Sequence, residues 1–108
     1  MFSKKLSLLY KKILLFYIMD NKMDILRSNI EKIDLSLLDL LCKRLEISKE
    51  IGIIKKEKNL PIFDETREKE LIKKLIEKNK LDSIYLEHFW NEIFFISRCV
   101  QKDIISQK

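Results

Sequence analysis

From Leu26 onward the apolar residues recur at positions 26, 30, 33, 37, 40 or 41, 45, 47 and 51. Steps of three and four are the period of an α-helix, whose side chains at those spacings stack on one face. Nothing interrupts the pattern until about Glu57, so the spacing predicts a first helix of roughly 32 residues, about 48 Å long at 1.5 Å per residue. An average globular helix has only about 11–12 residues. A stripe of that length cannot be buried inside one small domain and calls for a second chain beside it. Asn59 to Phe63 is expected to be a loop, because Pro61 has no backbone N–H and biases Leu60 away from helix. Asp64 is placed as the N-cap of a second helix running to about Asn79, with Glu65 in its first turn favouring the helix dipole. Lys80 and Leu81 make a short turn, and Asp82 caps a third helix that continues through Phe89, Ile93 and Ile96 to about Ile105. The predicted fold class is all-α: three helices, long, short and medium, in an intertwined homodimeric bundle.

Composition agrees with long helices, since there is one glycine (Gly52), one proline and no alanine. The 108 residues allow a single domain, and 46% hydrophobic with 36% charged content excludes a disordered chain or a membrane protein. Residues 1–22 stand apart from a domain placed at 23–108. Lys4, Lys5, Lys11 and Lys12 flank short apolar stretches there, and Ile13 to Met19 is wholly apolar. Seven residues cannot cross a bilayer, and no small residues follow that would suit a signal-peptide cleavage site. The segment is taken as a loosely attached extension, with a helix packed on the domain and a targeting segment as the alternatives. A cytoplasmic location is expected.

The formal charge is +5, yet most lysines alternate with acids, as along Lys69 to Lys78. That is the pattern of a solvated helix face. No arginine alternates with aromatics as in a base-stacking surface, so neither nucleic acid nor membrane is expected as a partner. Cys42 and Cys99 form no C-x-x-C pair and are expected to be reduced thiols packed as small hydrophobes. His88 is the lone histidine, expected half-exposed in a structural role, which argues against a zinc site and a Ser/His/Asp triad. No metal site is expected.

The cations carry the candidate chemistry. Of 22 lysines and arginines only four are arginine, and Arg27, Arg44 and Arg67 stand at spaced positions together with Lys55, Glu68, Ser97 and Gln101. Arginine presents a rigid fork that grips a carboxylate with two parallel hydrogen bonds, which points to a small ligand bearing carboxylates. Arg44 and Lys55 are 11 positions apart, about three turns, hence within about 20° on one face and about 16 Å along the axis. Arg27 lies about 25 Å from Arg44 along the helix and about 100° around it, out of reach of the same ligand within its own chain. In an antiparallel two-fold dimer it could complete the other subunit's site. Ser97 and Gln101 are an i,i+4 pair edging an apolar stripe, where a polar side chain must find a partner or lose hydration. Gly52 falls mid-helix, where glycine costs about 1 kcal/mol against alanine, so a close approach of helix or ligand is expected there.

Taken together, Leu26-Arg27-x-x-Ile30-x-x-Ile33-Asp34, Leu40-Leu41-x-x-Arg44, Ile51-Gly52-x-x-Lys55, Pro61-Ile62-x-Asp64-x-x-Arg67-Glu68 and Ser97-x-x-x-Gln101 resemble the all-helical chorismate mutase family. The resemblance covers about residues 24 to 103. Residues 1–22 fall outside it, the turn near Lys80 looks shorter than in familiar members, and Phe94 and Phe95 are bulky where smaller aliphatics are common.

The resemblance implies rearrangement of chorismate to prephenate, on the route to phenylalanine and tyrosine. This is an intramolecular pericyclic shift that uses no nucleophile, metal or cofactor. It also implies residue roles. Arg44 and the Arg27 of a second chain would clamp the two carboxylates. Lys55 and Gln101 would donate to the ether oxygen, where negative charge develops. Glu68 would hold the ring hydroxyl, with Asp64 contributing backbone rather than carboxylate, and Arg67 and Ser97 would add polar contacts. The competing readings are an isochorismate-pyruvate lyase, which has a similar cationic pocket and a dicarboxylate substrate, a non-catalytic helical dimer, and a mutase domain separated from a longer bifunctional chain.

Overall fold

The structure, a computed structural model, describes residues 4–78 and 80–107 and is all-helical. Its three helices are α1 (Lys4–Lys58), α2 (Glu65–Lys78) and α3 (Ser83–Ser106). Their order of lengths is the expected one, with α1 much longer than the periodicity predicts. Asp20, Asn21 and Lys22 shift the apolar stripe out of register, but no proline or glycine stands between Lys4 and Glu50. A stripe can therefore change phase while the backbone ladder runs on. Residues 4–22 continue the same helix without a break. Asn79, the predicted end of the second helix, lies outside the described residues.

Contacts divide the chain into a unit up to Leu40 and a unit from Leu41 onward. The first is a stretch of α1, and its apolar stripe is exposed: Leu26, Ile30, Ile33 and Leu37 keep 49 to 59% of their surface. The second holds the rest of α1 with α2 and α3. Among the described residues its buried apolar side chains are Leu86, Ile93 and Phe94, and its buried polar ones are Ser48, Ser97 and Gln101. An interior that is half polar needs hydrogen-bond partners for each polar group, which is the first structural sign of a site. The buried positions of α1 are Ser48 and Gly52, one turn apart and both small. A Cβ built on Gly52 would meet the Cα of Gln101 at 3.2 Å, so the glycine lets α1 and α3 come close, as its position in the sequence suggested.

The helix ends are set locally. Asn59 adopts a left-handed φ of 54°, Leu60 N–H donates to Lys55 O at 2.8 Å, and Asn59 N–H to Lys56 O at 3.4 Å. This pair of bonds is a Schellman motif with asparagine in the left-handed position. The true stop signal is thus Asn59, with Pro61 following it. Asp64 Oδ1 accepts from Arg67 N at 3.0 Å and Asp82 Oδ1 from Ile84 N at 3.0 Å, so both predicted caps are made. Lys56 Nζ donates to the carbonyl of Gln107, tying the end of α1 to the end of α3. The lysine–acid alternation forms surface pairs, including Lys69–Glu65 at 2.8 Å, whose hydrogen bond holds the Glu65 carboxyl below its ordinary range. One small expectation fails: Cys42 is exposed rather than packed. His88 is exposed on α3.

Candidate active site

The last four turns of α1, the start of α2 and the second half of α3 surround a cavity of about 230 Å³. Each element delivers its functional groups by helical spacing. From α1 come Arg44, Ser48 and Lys55, at steps of four and seven along one face. From the first turn of α2 come Arg67 and Glu68, directly after the Asp64 cap. From α3 come Phe94, Ser97, Arg98 and Gln101. Of the residues named from sequence, Arg44, Lys55, Asp64, Arg67, Glu68, Ser97 and Gln101 all line this one cavity. Arg27 does not; it sits on the exposed stretch of α1 before Leu41.

The buried polar side chains of α3 find their partners across the cavity wall. Arg44 Nη1 donates to Ser97 Oγ, and Lys55 Nζ donates to Gln101 Oε1 at 2.9 Å. Lys55 Nζ also donates to the carbonyl of Ile62 at 2.6 Å, so the ammonium is held between α3 and the loop that follows α1. Lysine has no acceptor, which fixes the orientation of the glutamine: its oxygen faces Lys55 and its NH₂ is the free end. The Arg44 guanidinium lies 5.7 Å from the centroid of Phe94. The bulky Phe94 thus forms an apolar floor under the cation. Burial pushes the Arg44 pKa down, Arg67 nearby adds to that, and Glu68 opposes it. An arginine still keeps its proton at any ordinary pH.

Sequence reasoning missed Arg98 and the small Ser48. Arg98 Nη1 contacts both carboxylate oxygens of Glu68, at 2.6 and 2.5 Å, and its guanidinium stands 5.2 Å from the Phe63 ring centroid. A signal for it was present: it is the fourth arginine of a lysine-rich chain and sits directly beside Ser97. Four cations (Arg44, Lys55, Arg67, Arg98) against two carboxylates (Asp64, Glu68) leave a formal excess of +2 around the cavity. That excess suits a dianion. A second hollow, against Leu6, Leu9, Tyr10 and Ile13 of α1, is almost wholly apolar and brings no charged groups together.

Residues 26–102 match the family model described as chorismate mutase type II. The chain belongs to that family. It is 39% identical over 83 residues to the bifunctional chorismate mutase/prephenate dehydratase of Aquifex aeolicus, a match that covers 69% of this chain and 22% of the relative. Over 47 residues it is 45% identical to the T-protein of Enterobacter agglomerans, covering 44% of this chain and 13% of that protein. The chain therefore spans less than a quarter of the length of these curated relatives. Among solved structures it is similar to the chorismate mutase of Helicobacter pylori in complex with prephenate. That likeness has a TM-score of 0.76 at 37% identity and covers 82% of this chain and 98% of the other. A conserved hypothetical protein of Pyrococcus furiosus is similar at a TM-score of 0.63 and 39% identity, over 74% of this chain and 95% of that one. Residues 26–102 are thus a type II chorismate mutase domain, and residues 4–25 of α1 lie before it.

Proposed function

We propose that this protein converts chorismate to prephenate, in the synthesis of phenylalanine and tyrosine. The observation that carries the reading is the Lys55–Gln101 pair, held inside the same cavity as Arg44 and Arg67. Lys55 has three N–H donors, of which two are used by Gln101 and Ile62, leaving one. The free NH₂ of Gln101 adds a second donor beside it. In the rearrangement an ether C–O bond breaks as a C–C bond forms, no proton is transferred, and negative charge grows on the ether oxygen. Two fixed donors aimed at that oxygen stabilise the transition state more than the ground state. Arg44 spends one of its five donors on Ser97 and keeps the rest for a carboxylate. Glu68 accepts the ring hydroxyl. Asp64 has its carboxylate engaged at the α2 cap, so its part is a backbone one. Holding a flexible dianion in its bent reactive form supplies the remainder of the acceleration.

The same reading makes the active form a dimer with two shared sites. The uncovered stripe of Leu26, Ile30, Ile33 and Leu37 is the natural seam. Arg27 of a second copy then closes the cavity over the second carboxylate of the ligand. Among the described residues no helix is long and apolar enough to cross a membrane, and we place the enzyme in the cytoplasm.

The test is an assay of the purified protein with chorismate and, separately, isochorismate. Prephenate from the first and no salicylate from the second is the expected result; salicylate alone would turn the assignment to the lyase. For the shared site, Arg27→Ala and Lys55→Ala proteins are mixed and subunit exchange is verified by mass. One intact composite site per heterodimer should restore part of the activity, and no recovery would sink the shared geometry.

A further inference from the structure

Arg98 has no role in the mechanism above, yet it makes the closest charged contacts in the cavity. Its Nη1 reaches both oxygens of Glu68, and the two side chains are only 27% and 22% exposed. The guanidinium is steadied from behind by the Phe63 ring. Glu68 is the one cavity carboxylate not committed to a helix cap. It stands within the electrostatic reach of Arg44, as does Arg67. A carboxylate left free among these cations would settle on Arg44, filling the fork that a ligand carboxylate needs.

We propose that Arg98 is a positioning residue: by pairing with Glu68 it keeps that carboxylate off Arg44, so that Arg44 stays open to the ligand's carboxylate and Glu68 to its hydroxyl. The inference rests on the chorismate mutase reading and deepens it. A carboxylate offers about four lone-pair sites, and Arg98 takes two, so Glu68 can still accept a hydroxyl. The pair is partly desolvated, where competition between cations for one anion is stronger than at the surface. Because the contact is made by α3 to α2, it needs no ligand to form. The orientation of Glu68 is therefore set before binding.

The experiment is a double-variant cycle read by titration with prephenate and by steady-state kinetics with chorismate. Arg98→Met should raise Kd and KM about tenfold while kcat changes less than about threefold, since the loss is in ground-state binding. In a Glu68→Gln background, which has no charge to stray, the same Arg98→Met change should alter Kd less than about twofold. Arg98→Lys keeps the charge and one donor and should recover most of the lost affinity. If Arg98→Met does not fold, by circular dichroism, the cycle is run with Arg98→Lys, whose smaller loss should likewise vanish beside Glu68→Gln. Equal losses in both backgrounds would mean that Arg98 touches the ligand itself and would overturn the proposal. So would an unchanged Kd in the single variant. A wild-type protein that neither binds prephenate nor consumes chorismate would overturn the mutase reading first, and this inference with it.

Discussion

Lys55 and Gln101 stand 46 positions apart and meet at 2.9 Å between Nζ and Oε1. The contact joins the end of α1 to the end of α3, and its geometry follows from Gly52, one turn before Lys55. With no Cβ at that position the Cα of Gln101 can approach, and the glutamine amide is brought within reach of the ammonium.

Lys55→Ala should lower turnover of chorismate by about 10²–10³, the size of effect seen when one preorganised donor is removed from a developing oxyanion. The helix content should be unchanged, because the side chain is half-buried and its removal leaves the Schellman backbone bonds in place. Turnover near the wild-type rate in a prephenate assay would show that the donors are assigned to the wrong residues.

Gly52→Ala pits two effects against each other. Alanine in place of glycine stabilises a helix by about 1 kcal/mol. Overpacking a tight contact costs about 1–3 kcal/mol. The nearest atom to the new methyl is backbone, the Cα of Gln101, so the contact cannot be relieved by a side-chain rotation. A net loss of about 1 kcal/mol is expected, together with a fall in activity as Gln101 is displaced. A thermal melt showing a more stable protein with full activity would contradict this packing account.

Arg44→Lys is not a conservative change here. Burial lowers the pKa of a base at this position, and Arg67 adds to the effect. Arginine tolerates that shift without losing its proton, but lysine starts at about 10.4 and the same environment brings it closer to neutral pH. A lowered base loses its charge as pH rises. Affinity of the lysine variant should therefore be weaker than wild type by about tenfold near pH 7 and should decline further toward pH 9.5. The wild type should show no such alkaline decline in binding; parallel pH profiles for the two proteins would disprove the charge argument.

Asn59→Val should destabilise the fold by about 1–3 kcal/mol, because a β-branched residue resists the left-handed φ that ends α1. Asn59→Gly should be neutral or better at the same position. Urea melts of the two variants give the comparison, and equal midpoints would remove Asn59 as the stop signal. A related loss of about 1 kcal/mol is expected for Asp64→Ala, which removes the cap that seats Arg67 and Glu68.

Sedimentation equilibrium should give a dimer at micromolar concentration. Charged substitutions in the α1 stripe, such as Ile33→Glu, should yield a protein that is both monomeric and poorly folded, since the described chain buries only Leu86, Ile93 and Phe94 by itself. A stable, active monomer would exclude the shared site.

Much of this protein is determined by local rules, and those were legible. The helical period, the two aspartate caps and the need for space at Gly52 depend on spacing within a few turns, where 3.6 residues per turn fixes which side chains share a face, whereas the seven cavity residues were named as one site through the resemblance of their motifs to the chorismate mutase family. Other features required the fold. That Arg44 answers Ser97, that Lys55 answers Gln101, and that Arg98 rather than Arg44 holds Glu68 are decided by how three helices lie against one another. Periodicity says nothing of that, because each helix leaves its partner's identity open. The extent of α1 back to Lys4 was hidden for a different reason: hydrophobic phase reports what a helix packs against, whereas the backbone ladder continues wherever no residue breaks it.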